Sequence, residues 1–256
     1  FMFSFSRLRV AARAAGTHLL CGLALVFLAS VAVFWVWFPY PYGELAGGRQ
    51  LFLLIVAVDV VCGPLLTLVL YNLEKPRAEL WRDLGLVALI QLTALAYGLH
   101  VVWQVRPVYL VQEVDRFKVI TLPELEYAEV AKLPLAMQPR WTEGPVTVAI
   151  REPKDADERK KVLFESIQGG RDYAERAEFY LPYEGDAALK SLKHAKPLTA
   201  FFEKHPNQQA VARALLTEKR LDETQMLYLP VVGRQDWVAV LDAKGQIQGF
   251  LKGDGF

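Results

Sequence analysis

The 256 residues are 53% hydrophobic with a mean hydropathy of +0.20, too apolar for an average soluble domain and too polar for a chain that is membrane throughout. Lys and Arg total 29 against 28 Asp and Glu, and nearly all of this charge lies after position 105, where the two signs balance. A balanced surface offers no cationic field to a phosphate backbone, so nucleic acid is excluded as an expected partner.

Arg7, Arg9 and Arg13 precede an uncharged run from Leu19 to Phe38, whose length at a rise of roughly 1.5 Å per residue matches a hydrocarbon core of about 30 Å. A cleavable signal peptide is the alternative, since Arg7 to Arg13 has the character of a basic leader. The apolar run is too long for that, ends in Trp35, Trp37 and Phe38-Pro39-Tyr40-Pro41, and is followed by no small-x-small site. It reads as an uncleaved anchor. Leu51 to Tyr71 is a second span, interrupted only by Asp59, and Leu84 to Gln104 a third, with His100 near its end.

Basic residues set the expected orientation. Arg7, Arg9 and Arg13 before the first span, and Lys75, Arg77 and Arg82 between the second and third, assign both segments to the cytoplasmic side of the membrane. The loop from Phe38 to Gln50 carries one Arg and one Glu and is free to face outward. Three crossings then deliver everything after Arg106 to the extracytoplasmic side. Trp35, Trp37, Tyr40, Tyr42 and Trp103 form the outer aromatic belt, with Tyr71 and Trp81 at the inner one.

Residues 1–104 are thus a membrane domain and 105–256 an extracytoplasmic α+β domain. Its expected strands are Val108 to Val114, Val146 to Ile150, Leu227 to Val232, Trp237 to Leu241 and Ile247 to Leu251, the last two joined by the turn sequence Asp242-Ala243-Lys244-Gly245. Helical patterns cover Pro123 to Lys132, Asp155 to Ile167 with Val162, Leu163 and Ile167 facing inward, Arg171 to Phe179, Asp186 to Lys193, Leu198 to Lys204 and Asn207 to Lys219. Strands at both ends with helices between suggest one mixed or antiparallel sheet, compatible with a thioredoxin-like arrangement without redox cysteines. Cys21 and Cys62 both fall inside spans, which leaves no disulfide framework, zinc cluster or CxxC motif in the soluble part.

Motifs for metal, nucleophile and phosphate chemistry are missing: there is no HExxH, GxSxG, P-loop, GxGxxG or SxxK. His194 and His205 sit in a Lys-rich polar stretch and read as solvated surface, as do Glu175 and Glu178. No cofactor, metal or enzyme activity is expected. Asp59 stands apart, because a carboxyl at mid-bilayer depth is costly and needs a partner. Gly63 and Pro64 follow it, and Asp59, Gly63 and Thr67 share one helical face, a small and polar stripe suited to helix packing. Counting helical rise from the inner ends of the spans puts Ser30 and Tyr97 level with Asp59, about 18 Å up, and Gln91 lower. Asp59 is therefore expected to bond Ser30 or Tyr97 inside the bundle, with contact to another protein's membrane helix as the alternative.

Several separated strings occur in one order: Phe38-Pro39, Gly47-Gly48, Leu51-Phe52-Leu53-Leu54-Ile55, Val58-Asp59-Val60, Gly63-Pro64-Leu65-Leu66-Thr67-Leu68, Lys75-Pro76, Asp83-Leu84, Gln91-Leu92, Ala94-Leu95, Tyr97-Gly98, Arg106-Pro107-Val108-Tyr109 and Asp115-Arg116-Phe117. In them the chain resembles the TfpX/TfpZ family of type IV pilin accessory proteins. The second half adds only Leu229-Pro230-Val231-Val232-Gly233-Arg234 and the closing hairpin. The resemblance implies an inner-membrane protein with a periplasmic domain that assists assembly or stability of a cognate type IV pilin. Its partners would be the lipid bilayer and the pilin's membrane helix, periplasmic head or both. Asp59, Gly63, Pro64, Arg106, Asp115 and Arg116 match the family strings. Arg106, Asp115 and Arg116 are read as membrane-interface residues, Arg106 by snorkelling and the other two as a charge pair or turn. A membrane receptor or sensor binding a ligand outside is the alternative function, against which stands the small size of the expected cytoplasmic segments.

Overall fold

The computed structural model describes residues 5–72 and 75–256, with side chains from residue 8, so the side chain of Arg7 lies outside the described residues. It divides into two compact units: Phe1–Val36 with Gly48–Gln104, and Trp37–Gly47 with Val105–Phe256. The chain therefore passes between the units at 36/37, 47/48 and 104/105. The eleven or so residues between the first two spans, expected as a free loop of the membrane domain, group instead with the second unit.

The first unit is helical. The helix α1 (Phe5–Val31) runs into a π-helical segment, Ala32–Trp37; after the single turn α2 (Tyr42–Leu45) the chain returns as α3 (Gly48–Leu70) and α4 (Arg77–Gln104). Three stretches are long and apolar enough to cross a membrane, Leu8–Trp37, Gly48–Leu70 and Arg77–Gln104, and they make this a membrane protein. The helices outrun the expected spans where polar residues carry the same hydrogen-bond ladder onward. Thus α4 begins at Arg77 rather than Leu84, directly after Pro76, with Glu79 in its first turn at the positive end of the helix dipole. Lys75 Nζ lies 2.7 Å from Asp83 and 3.4 Å from Glu79, which ties the entering chain to that turn. The middle helix α3 is central, with α1 and α4 each packed on it. Phe34 meets Phe52 edge-on at 5.2 Å, and Gly98 lets α4 close on Ile55, where a Cβ would come within 2.7 Å of Cγ2.

The second unit is built on one mixed sheet. Its strands are β1 (Pro107–Gln112), β2 (Phe117–Thr121), β3 (Val146–Ile150), β4 (Tyr180–Pro182), β5 (Lys196–Pro197), β6 (Leu227–Val232), β7 (Trp237–Leu241) and β8 (Ile247–Lys252). Their order is β4-β3-β1-β2-β6-β7-β8, with β5 pairing β6 off that path. The pairs β1–β3 and β2–β6 are parallel, and β1–β2, β3–β4 and the closing β6–β7–β8 meander are antiparallel. Alternation along β6 and β7 sends Tyr228, Val238 and Val240 to one face, where they pack with Leu198, Phe201, Ala212 and Leu216 of α8 (Leu198–Lys204) and α9 (Gln209–Glu218). Leu229, Val231, Trp237, Ala239 and Leu241 face the other way and pack with Leu110, Phe117, Tyr42 and Leu45. A third cluster around Tyr109, Val111, Val148 and Tyr180 fills the β1–β3–β4 end.

Local departures from the expected elements have visible causes. The first strand stops at Gln112, because residues 113–116 turn and β2 returns beside it. The helix expected from Pro123 to Lys132 is a 3₁₀ turn, Leu122–Glu124, then a single turn α5 (Tyr127–Val130); Thr121 N–H and Oγ1 both donate to Glu124, which closes the first turn early. Arg171 to Phe179 holds two 3₁₀ turns, Tyr173–Glu175 and Ala177–Phe179, in place of a helix. In α6 (Ala156–Ile167) only Val162 is buried, while Leu163 and Ile167, expected inside, are exposed together with Phe164. The short helix α7 (Asp186–Ser191) completes the helices named here.

Candidate functional site

In the helical unit, α1, α3 and α4 enclose a cleft of about 550 Å³. Its floor is α3, which contributes Asp59, Val60, Pro64 and Thr67; one wall is α1 from Ala14 to Leu25, the other α4 from Trp81 to Leu92. Helical spacing puts Asp59, Gly63 and Thr67 on one face of α3. Thr67, 2% exposed, faces α1, where its Oγ1 lies 2.6 Å from His18 Nδ1. Gly63 and Asp59 face α4: a Cβ on Gly63 would overlap the Gln91 amide, and Gln91 Nε2 donates to the Asp59 backbone oxygen at 3.0 Å and to Oδ1 at 3.5 Å. Gln91 Oε1 is buried with no hydrogen-bond partner among the described residues. Pro64 has no N–H to offer the carbonyl of Val60 one turn back.

The expected partners of Asp59 lie elsewhere. Ser30 Oγ donates to the carbonyl of Phe27 in its own helix, and Tyr97 is 70% exposed on the surface of the unit. Rise along a helix gives depth alone, whereas contact also needs the right azimuth. Gln91, judged too low by rise, points at α3 and reaches with a long side chain. His18 carried no signal beyond its place at the edge of an apolar run, and its pairing with Thr67 needs the α1–α3 packing to appear.

The membrane-interface group is separated. Arg106 is 5% exposed immediately before β1, so burial rather than snorkelling describes it, and burial lowers its pKa from the ordinary guanidinium value. Asp115 and Arg116 lie beyond the far end of β1, about 20 Å along the strand. There Arg116 Nε donates to Glu113 at 2.6 Å with Asp115 at 4.0 Å, a local turn network.

A second feature belongs wholly to the sheet unit. Residues 37–47 form a strap across the face of β6–β7–β8 opposite α8 and α9. Leu45 is fully buried, its carbonyl accepts the Arg234 N–H at 2.6 Å, and Lys252 Nζ lies 2.8 Å from Glu44. Tyr42 packs edge-on against Phe250 at 5.9 Å and Tyr40 against Trp237 at 5.7 Å. Gly233 is required by the close approach, since a Cβ there would stand 2.6 Å from the Leu45 carbonyl oxygen. The strap ends at Gly47, whose φ of 74° is a left-handed conformation that stops α2 before α3 begins.

In the polar depression formed by Glu126, Glu165, Glu175, Glu178, Arg171 and Arg176 the charges are held in ion pairs, Glu175 with Lys118 at 2.7 Å. Arg171 pairs with Glu126 at 3.1 Å, and Arg176 pairs with Glu165 and with Glu178. No group of three or more His, Cys, Asp or Glu with metal-site geometry occurs among the described residues.

Comparison with known proteins adds what geometry leaves open. No solved structure matches the chain. The family model described as "Fimbrial assembly protein FimB" matches residues 6–47, which is α1 together with the strap. Two proteins of Dichelobacter nodosus, "Fimbrial assembly protein, serogroup I" and "Fimbrial assembly protein, serogroup E1", are each 33% identical over 257 residues, covering 98% of both chains. A third from the same organism, "Fimbrial assembly protein, serogroups C1 and C2", is 39% identical over 115 residues, 45% of this chain and 88% of its own. Likeness that spans the helical unit, the strap and the sheet unit is likeness of the whole chain, and the chain belongs to the fimbrial assembly protein family.

Proposed function

We propose that the protein is a noncatalytic assembly factor for a cognate type IV fimbrial subunit, held in a bacterial inner membrane with its N-terminus cytoplasmic and its sheet unit periplasmic. The reading rests first on full-length likeness to two fimbrial assembly proteins. The resemblance to pilin accessory proteins supports the finer role of assisting the subunit. Arg9, Arg13, Lys75, Arg77 and Arg82 favour the cytoplasmic side for the segments that carry them. The strap supports the same topology: residues 37–47 and 105–256 share one core, so they belong on one side of the bilayer, as three crossings require.

Deleting the gene is expected to lower surface fimbriation while the other fimbrial machinery remains intact; unchanged fimbriation removes the role. Alkaline phosphatase fused after Phe256 is expected to be active, and fused between Asn72 and Asp83 inactive. The opposite pattern reverses the orientation and leaves the assembly role to be judged by the deletion.

A further inference from the structure

We propose that the outward face of α6 lies in the headgroup region of an anionic bilayer, where it holds the sheet unit against the membrane surface. The proposal goes beyond the assembly role and does not depend on which side of the membrane the unit occupies.

The face is apolar and uncovered within the unit. Leu163, Phe164 and Ile167 are each more than half exposed, while Val162 is the one buried residue of the helix. With 3.6 residues per turn, the three exposed side chains share an arc of about 100° on the side opposite Val162. Arg159 and Lys161 border that arc, and Lys160 stands inside it one turn before Phe164. These three cations have no ion pair among the described residues. The acids near them are engaged, Glu158 by Arg151 at 2.9 Å and Glu165 by Arg176, and Asp157 lies back in the first turn.

Two arguments select a bilayer as the occupant. The first is attachment. The last apolar helix ends at Gln104 and β1 begins at Pro107, three residues on, so the chain holds that end of the sheet within about 10 Å of the end of a span. Pro107 pairs with Thr121, and Glu126, five residues further, pairs with Arg171 at 3.1 Å. Glu165 and Gln168 border the same depression as Glu126 and Arg171, which brings the C-terminal turn of α6 to the Pro107 end of the sheet. The start of α6 is at the other end, where Glu158 meets Arg151 just past β3. The second argument is charge. An apolar stripe edged by cations matches hydrocarbon edged by phosphate, with each basic side chain lying along the apolar surface and its head among the headgroups. The face also offers no buried polar atom that needs a partner of fixed geometry, and a fluid bilayer supplies none.

The test uses the full chain in lipid nanodiscs, with Cys21→Ala and Cys62→Ala removing both native thiols. A nitrobenzoxadiazole fluorophore is attached at Ile167→Cys and, as the control, at Leu189→Cys, exposed on α7 beside Lys190, which reaches toward Glu152 past the other end of β3. Phospholipids brominated on their acyl chains are expected to quench the label at position 167 and not at 189. Quenching should be stronger with phosphatidylglycerol present than in phosphatidylcholine alone. Lys160→Gln with Lys161→Gln is expected to lower the ratio of seated to unseated helix about 5-fold for each lysine, at unchanged thermal unfolding since both side chains are exposed. Should that variant unfold, added salt, which screens the same attraction, is expected to lower quenching of the chain that keeps both lysines. No quenching at 167, equal quenching at 167 and 189, or indifference to lipid charge each overturn the proposal. A label at 167 that is shielded only when the fimbrial subunit or a second copy of this chain is added to the disc gives the face to a protein and overturns it too.

Discussion

The two units exclude their surroundings by different means. In the sheet unit, Leu45, Leu229, Leu241 and Trp237 pack as large apolar side chains, and the gain is removal of their surface from water. In the helical unit the contacts between helices include Gly63, Gly98, Thr67 and Gln91 beside the buried Phe52, Val87 and Leu95, while Leu53, Leu54, Val58 and Val69 point outward. Lipid is as apolar as leucine, so burying leucine there gains little, and close backbone approach with a few hydrogen bonds holds the bundle instead. Mutations of similar size should therefore weigh differently in the two units.

The largest effect is expected at the strap. Leu45→Ala removes a fully buried side chain and should destabilise the sheet unit by about 3 kcal/mol. Gly233→Val should cost a comparable amount, by forcing a Cβ against the Leu45 carbonyl. Thermal unfolding of the full chain in detergent, followed by near-ultraviolet circular dichroism of the Trp237–Tyr40 pair, reads both; a strap that tolerates both variants is not part of the core. In the helical unit Thr67→Val keeps shape and removes the His18 hydrogen bond, for which about 0.6 kcal/mol is expected. Loss above about 2 kcal/mol in a steric-trapping measurement would mean that the polar pair, rather than close packing, dominates the bundle.

Smaller still is Lys252→Ala. Its ion pair with Glu44 is half exposed, so at most about 1 kcal/mol is expected, shrinking with added salt. The weakest expected effect is one of pH. Arg151 donates to both oxygens of Glu158 at 2.9 Å and Lys154 N–H donates at 2.6 Å, which together lower the Glu158 pKa from 4.5 to about 2. A depressed carboxylate contributes stability above its unfolded value. That contribution is lost as pH falls from about 4.5 through about 2. Carboxyl carbon NMR of Arg151→Met should find Glu158 titrating higher, toward the ordinary range, and an unchanged titration would assign the depression to the Lys154 N–H alone.

Several features were legible before any coordinates. Apolar runs beginning at Leu19, Leu51 and Leu84 name the three apolar helices, because hydrophobic length is local. Short apolar runs, Leu227 to Val232 and Trp237 to Leu241, give two strands of the closing meander, and Asp242 to Gly245 the turn after them. The short β4 and β5 were not legible, since strands of three and two residues carry no period of their own and exist through their partners β3 and β6. At the site, Asp59, Gly63 and Thr67 were readable as one stripe from spacing alone.

Amino-acid order by itself determined where apolar helices run, which half holds the charge, and which face of α3 is small and polar; each depends on residues within a few turns of one another. Tertiary structure alone decided that Gln91 and His18, not Ser30 and Tyr97, meet that face, because contact between helices depends on azimuth as well as on depth. It alone decided that Leu45, nearly two hundred residues from Arg234, completes the core of the sheet unit. A loop reads as a loop until the surface that buries it has folded.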